Sequence, residues 1–224
     1  DEQNDGILNY ENYISIFEEP EGTVILGVQD KGLCRVSLLT QEKSAFDGTA
    51  HLTVTSMCRF DDNNILVSDP INGLFLFNRS NGRISPLPQN HPIWGALSGS
   101  RNKNIHLASV QDNDIFIFNA DSRHYVYRKE ENRLVEFGLQ GDDGTVVNNI
   151  DNFCITPYAV YVTYRGTILE IDFNTLNSRT VYRNKDKVIH NITSIAPNSQ
   201  GELFFTEPEG LHRYDPRSDF DELL

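Results

Sequence analysis

The chain has 224 residues, 38% hydrophobic and 23% charged, with a formal net charge of −13 at pH 7. That length holds one or two domains, and the acidic balance disfavours nucleic acid and anionic membranes as partners because both present phosphate. No run of eighteen apolar residues occurs, so no transmembrane helix and no direct membrane insertion is expected; the chain opens on Asp1 without a Met, so the lack of a visible leader carries no information on compartment.

Residues 1–12 are polar and acidic apart from Ile7-Leu8, and are expected to be a tail or a strand that closes the last repeat. Residues 13–224 then read as repeats of short strands and turns. The expected first strands are Ile14–Phe17, Val54–Phe60, about Ile93–Leu97, Phe153–Ile155 and Ile192–Ala196. Second and third strands come as pairs: Thr23–Val36, Asn64–Phe77, Asn104–Phe118, Tyr158–Ile171 and Glu202–Tyr214. Each pair is broken by turn residues such as Asp69-Pro-Ile-Asn-Gly73 or Pro208-Glu-Gly210, in which Pro fixes φ and Gly tolerates φ > 0. Fourth strands are short and more polar: Ser44–Phe46, Arg83–Leu87, Leu134–Phe137 and Arg179–Tyr182. Charge suits an outer edge, where it blocks pairing with other chains. No segment carries an apolar stripe of helical period.

Anchored at the residues that open the third strands (Gly32, Gly73, Asp114, Thr167, Gly210), the repeats are 41, 41, 53 and 43 residues apart. A period near forty built only of strands and turns predicts an all-β fold, a β-propeller of four-stranded blades with about five repeats. Five repeats make either a small closed ring or part of a larger propeller, and a stacked sandwich is the competing architecture. The long spacing places an insertion between blades three and four, around Gly141-Asp-Asp-Gly144. One blade cannot cover its own two faces, which is why the unit repeats. An incomplete ring would expose a strand edge and favour a homodimer.

Gly210-Leu-His-Arg-Tyr-Asp-Pro216, Gly73-Leu-Phe-Leu-Phe-Asn78 and, in part, Lys31-Gly-Leu-Cys-Arg35 resemble the two-component-regulator propeller repeat. Trp94 is followed by Gly95, not Asp, so the WD40 mark is absent, and no Gly-Gly doublet of the kelch type occurs. The resemblance implies the sensing region of a hybrid two-component sensor, on the periplasmic or extracytoplasmic side of a membrane, that recognises a carbohydrate or similar ligand.

No histidine pair has metal-binding spacing, and no Gly-x-Ser-x-Gly elbow occurs, so no catalytic residue, metal ligand or cofactor is expected. Asp112-Asn-Asp114 and Gly141–Gly144 lack the EF-hand spacing and read as turns. The three cysteines, Cys34, Cys58 and Cys154, lie in strand patterns and are expected reduced and buried. In a propeller, the turns between second and third strands and the connections between blades share one face around the channel. Ligand-binding candidates are therefore Asp30, Asp69, Asn72, Asp112, Tyr164, Arg165 and Glu207 from the turns, and His91, Trp94, Asn149 and His190 from the connections. Trp94 is either core or a contact residue. Amides, carboxylates and an aromatic ring suit a carbohydrate, and equally a peptide. The leading expectation is a non-catalytic ligand- or partner-recognition module. A cytoplasmic protein–protein interaction scaffold is the first alternative. A propeller-type hydrolase or lactonase, with a metal or carboxylate cluster in the channel, is the second.

Overall fold

A computed structural model of the chain describes residues 13–97, 105–110, 114–119, 123–184 and 191–224. The expectation for residues 1–12 lies outside the described residues. Twenty strands form five four-stranded antiparallel sheets, each with its strands in chain order from one edge to the other. The first blade is β1 (Tyr13–Glu19), β2 (Thr23–Val28), β3 (Gly32–Ser37) and β4 (Lys43–Ala45). The second is β5 (Ser56–Arg59), β6 (Asn64–Asp69), β7 (Gly73–Asn78) and β8 (Ile84–Pro86). The third is β9 (Ile105–Val110), β10 (Asp114–Asn119), β11 (His124–Arg128) and β12 (Arg133–Phe137). The fourth is β13 (Asn152–Ile155), β14 (Ala159–Tyr164), β15 (Thr167–Asp172) and β16 (Ser178–Arg183). The fifth is β17 (Ser194–Pro197), β18 (Leu203–Glu207), β19 (Gly210–Asp215) and β20 (Phe220–Leu223). The fold class is that of a five-bladed β-propeller.

The chain divides into two compact units. One holds blades one and two and nearly all of blade three; the other holds blades four and five. Within the first, β1 packs on β5 and β5 on β9; within the second, β13 packs on β17. Within each unit the first strand of a blade is thus set against its neighbour's first strand, as the sequence pattern predicts for blades one, two, four and five. Middle strands such as Asn64–Asp69 and Ala159–Tyr164 are near-continuous apolar runs because both their faces are covered. Ile25, Leu52, Ile65, Val67 and Phe77 fill the space between blades one and two. Tyr161, Ile168, Ile192, Leu203, Phe205 and Tyr214 do the same between blades four and five. All three cysteines are buried, and burial pushes the Cys154 thiol up to about 12.

The glycine that opens the third strand has a specific task in two blades. Gly32 (φ +80°) leaves no room for a side chain: a Cβ would lie 2.0 Å from the carbonyl oxygen of Thr49, in the connection from blade one to blade two. Gly73 (φ +96°) likewise makes room for the Trp94 ring, 2.7 Å from where its Cβ would stand. The departing chain crosses closely over the start of the third strand, and only glycine permits both that approach and the backbone angle. In blade four the two-residue turn Arg165-Gly166 (φ +48° and +71°) fits the type I′ hairpin instead.

Blade three corrects the expected frame. Its first strand is β9, not Ile93–Leu97, and the expected second and third strands are its first and second. Residues Pro92–Ala96 form a short 3-10 helix: Pro92 presets its first turn, and the His91 ring accepts a hydrogen bond from the Ile93 amide at 3.3 Å. The third strand is the aromatic run His124-Tyr-Val-Tyr-Arg128. Third strands therefore open at 73 and 124, 51 residues apart, then at 167, 43 further on. The extra length falls between blades two and three. Gly141–Gly144 is no insertion but part of a short loop bridged at Gln140–Val146 and hydrogen-bonded to β16 through Asp142 and Thr180. Blade five is completed by its own fourth strand, β20.

Candidate functional site

Two of the turn residues proposed as ligand contacts, Asp30 and Asp69, are tied up in holding the turns themselves. In the first unit Asp69 is 1% exposed, and its carboxylate accepts from the amides of Thr53 (2.8 Å), Ile71 (2.7 Å) and Asn72 (2.6 Å). The Thr53 hydroxyl donates to Asp30 at 2.8 Å, so Asp30, Thr53, Asp69 and Asn72 form one chain joining two adjacent turns. Asn72 leaves its side chain exposed. His91 caps its 3-10 helix with its ring against Phe60 and Tyr127, and partial burial lowers its pKa. Trp94 is half-buried against the core between blades two and three, its indole N–H donating to the Leu87 carbonyl at 2.8 Å. Asp112 and His190 lie outside the described residues.

In the second unit Asn149 is exposed in the connection that leads into β13. Arg165 lies exposed with its guanidinium 5.2 Å from the Tyr164 ring centre, and its amide donates to Asp151 at 2.9 Å. Glu207 differs from these. It occupies the same place in its blade as Asp69, opposite the first residue of the third strand. Its longer side chain is buried and turns away from its own turn. One oxygen accepts from Asn184 Nδ2 (2.8 Å) and the Tyr182 hydroxyl (3.2 Å) of blade four, and the other, Oε1, has no hydrogen-bond partner among the described residues.

Its partners Tyr182 and Asn184 line a cleft of about 410 Å³ between β16 and the β19–β20 pair, with the Glu207 carboxylate itself buried behind the lining. Tyr182, Arg183 and Asn184 line one side; Glu209, His212, Tyr214, Asp219 and Asp221 line the other. The register fixes the central ring. His212 pairs with Phe205 across β18–β19, so the two rings stack with centres 5.1 Å apart and planes 6° from parallel. Asp221 accepts from His212 Nδ1 at 2.9 Å, which puts a hydrogen on that nitrogen. Nε2 lies 3.7 Å from Glu207 and 3.9 Å from Glu209, and is buried without a hydrogen-bond partner among the described residues. The Tyr214 hydroxyl donates to the Val181 carbonyl and lies 3.0 Å from Asp219.

The lining is acidic on balance, with Glu209, Asp219 and Asp221 against the cation Arg183. Burial holds the Glu207 carboxyl above its ordinary range, partly offset by the Asn184 amide. Burial also raises the Tyr182 and Tyr214 phenols, the neighbouring carboxylates adding to the effect. Arg183, the cation on the lining, pairs with Asp143 at 2.9 Å outside the cleft, which holds the Asp143 carboxyl well below the usual range.

Sequence reasoning picked out the Glu207–Glu209 turn and missed Tyr182, Asn184, His212, Tyr214 and Asp221 as companions. One signal was present. The third residue of the third strand is Cys34, Phe75 and Leu169 in blades one, two and four, each buried, and His212 in blade five. An ionisable ring where the repeat otherwise places an apolar side chain marks a departure from packing. It is also the variable position of the Gly-Leu-x-Arg-Tyr-Asp-Pro motif. The fixed positions serve structure: Arg213 clamps Glu202 at 2.6 Å, and Asp215 caps its turn through the Arg217 amide at 3.0 Å.

No protein-family model matches the chain, and no curated protein matches it. Solved structures do. The extracellular domain of BT4673 from B. thetaiotaomicron, assigned as a hybrid two-component system, matches with a TM-score of 0.69 and 14% identity over 97% of this chain and 29% of that one. The likeness is one of fold. The extracellular domain of BT3049 from the same organism, assigned likewise, matches with a TM-score of 0.64 and 12% identity over 100% of this chain and 30% of that one. PorZ, a bacterial surface component of the type-IX secretion system of Porphyromonas gingivalis, matches with a TM-score of 0.63 and 12% identity over 99% and 27%. The chain thus spans less than a third of the length of each. Among the described residues, no helix is long and apolar enough to cross a membrane.

Proposed function

We propose that this chain is the ligand-recognition part of an extracytoplasmic sensor, and that it binds a neutral, hydroxyl-rich ligand without acting on it chemically. The cleft between β16 and the β19–β20 pair carries the proposal. Its volume lies in the range of small-molecule sites. Its lining combines the apolar bodies of Tyr182 and Tyr214 with the carboxylates of Glu209, Asp219 and Asp221. Carboxylates accept hydrogen bonds from sugar hydroxyls and repel uronates and phosphates, so a neutral carbohydrate fits this groove better than an anionic one. The propeller fold shared with extracellular domains of two-component sensors supports the extracytoplasmic setting.

A non-catalytic role is supported by how the reactive groups are held. His212 is fixed through Nδ1 and stacked on Phe205. The Tyr182 and Tyr214 phenols and the Cys58 and Cys154 thiols are all raised in pKa by burial, the opposite of what nucleophilic activation requires.

The test is a thermal-shift screen in a chelating buffer against neutral mono- and disaccharides, uronates and short peptides. A ligand bound only by the native state, at a hundred times its Kd, stabilises by about 2.7 kcal/mol. A neutral sugar is expected to raise the melting temperature by several degrees, and Asp219→Asn is expected to abolish that shift. Asn tolerates the positive φ of position 219 (+53°), so this variant keeps its backbone. A shift with peptides alone, or with no sugar at all, would overturn the proposal.

A further inference from the structure

We propose that Glu207, Glu209 and His212 form a binding site for a divalent transition-metal ion of the zinc type, with Asp221 as its positioning residue. The ligand atoms of the three side chains lie within 4.8 Å of one another. Two of the three groups are almost wholly buried, the His212 side chain 8% and the Glu207 side chain 0% exposed. Each carries a buried atom without a hydrogen-bond partner among the described residues, Nε2 of His212 and Oε1 of Glu207, and Nε2 faces both carboxylates. A buried lone pair facing two carboxylates is unfavourable unless a cation or a proton lies between them. Nε2 lies 3.7 Å from Oε2 of Glu207 and 3.9 Å from Oε1 of Glu209, separations that a single ion with bonds of about 2.0–2.2 Å spans.

The surroundings match what such an ion requires. Asp221 accepts from Nδ1 at 2.9 Å, which fixes the tautomer and makes Nε2 the more basic donor, the usual arrangement behind a metal-bound histidine. Tyr182 and Asn184 orient the Glu207 carboxylate by donating to Oε2, the oxygen nearest Nε2. A ring nitrogen among the ligands favours zinc-like ions over calcium or magnesium, which take oxygen alone. Three protein ligands leave a coordination position open toward the cleft.

The experiment uses the full chain without an affinity tag and Zn2+ alone, by isothermal titration, with Co2+ absorption as a probe of coordination. One equivalent is expected to bind and to raise the melting temperature by several degrees. Binding is expected to weaken at least tenfold in Glu209→Gln, whose partly exposed site leaves folding intact, and to vanish in His212→Ala. Asp221→Asn, which keeps the ring but not its charged partner, is expected to weaken binding about 10–100-fold and to shift the Co2+ spectrum. Glu131→Gln, at an exposed position of blade three, is expected to change nothing. No saturable binding, the result expected if a proton alone sits between these groups, would overturn the assignment. So would binding that survives both Glu209→Gln and His212→Ala. The measurement involves no sugar, so its outcome is independent of the carbohydrate reading.

Discussion

Phe205→Ala is expected to destabilise the unit of blades four and five by about 3–5 kcal/mol, the range for removing a large aromatic ring from a well-packed core. Phe205 is 1% exposed and packs between two others, with the Tyr182 ring centre at 4.7 Å and the His212 ring at 5.1 Å. The cavity would open directly beneath the cleft. Phe205→Leu retains most of the volume and is expected to cost about 1–1.5 kcal/mol, yet it removes the flat surface that sets the plane of His212. Urea denaturation of the two variants checks the ordering. Equal midpoints would show that the ring is not a packing centre.

Gly32→Ala is expected to cost about 2–5 kcal/mol, far more than one methyl group suggests. Two effects add: a left-handed backbone held by a non-glycine residue, about 1–2 kcal/mol, and overpacking against fixed atoms, about 1–3 kcal/mol. The obstructing atom is backbone, the Thr49 carbonyl oxygen at 2.0 Å. It cannot move freely, because Thr49 is buried and its hydroxyl accepts from the Leu33 amide at 3.0 Å and donates to the Phe46 carbonyl at 2.9 Å. Gly48→Ala is the matched control. Gly48 has a similar φ (+77°) with nothing within 4 Å of a Cβ, so only the backbone effect remains. A difference of at least 1 kcal/mol between the two in chemical denaturation is the expected result.

Much of the architecture is legible in the sequence because blade strands are short, close in the chain and punctuated by residues with definite turn chemistry. Gly73 and Gly32 mark third strands for a steric reason that the repeat pattern shows without explaining. Blade three misleads for a physical reason too. Asn104–Phe118 has the cadence of a second and third strand, two apolar runs around a polar turn, but β9 and β10 form a first and second strand with the same cadence. Pro92–Ala96 imitates an apolar strand because Ile93, Ala96 and Leu97 are buried by a 3-10 turn.

The site is less legible because polarity alone does not separate a carboxylate that holds a turn from one that faces a cleft. Asp69 and Glu207 occupy equivalent places; one methylene and a shorter turn send the second carboxylate toward blade four. The cleft also joins Tyr182 and Asn184 to Glu207 and His212 across more than twenty residues of sequence, through the packing of two blades that no local pattern records.

Amide hydrogen exchange, with and without the neutral sugar that gives the largest thermal shift, tests most directly whether recognition sits in the cleft and not on the turns. Protection is predicted at residues 182–184 and 209–221, the two walls of the cleft. Protection confined to the turns that carry Asp30, Asn72 and Arg165, with the cleft amides unchanged, would contradict the account and return the ligand to the face that the sequence first suggested.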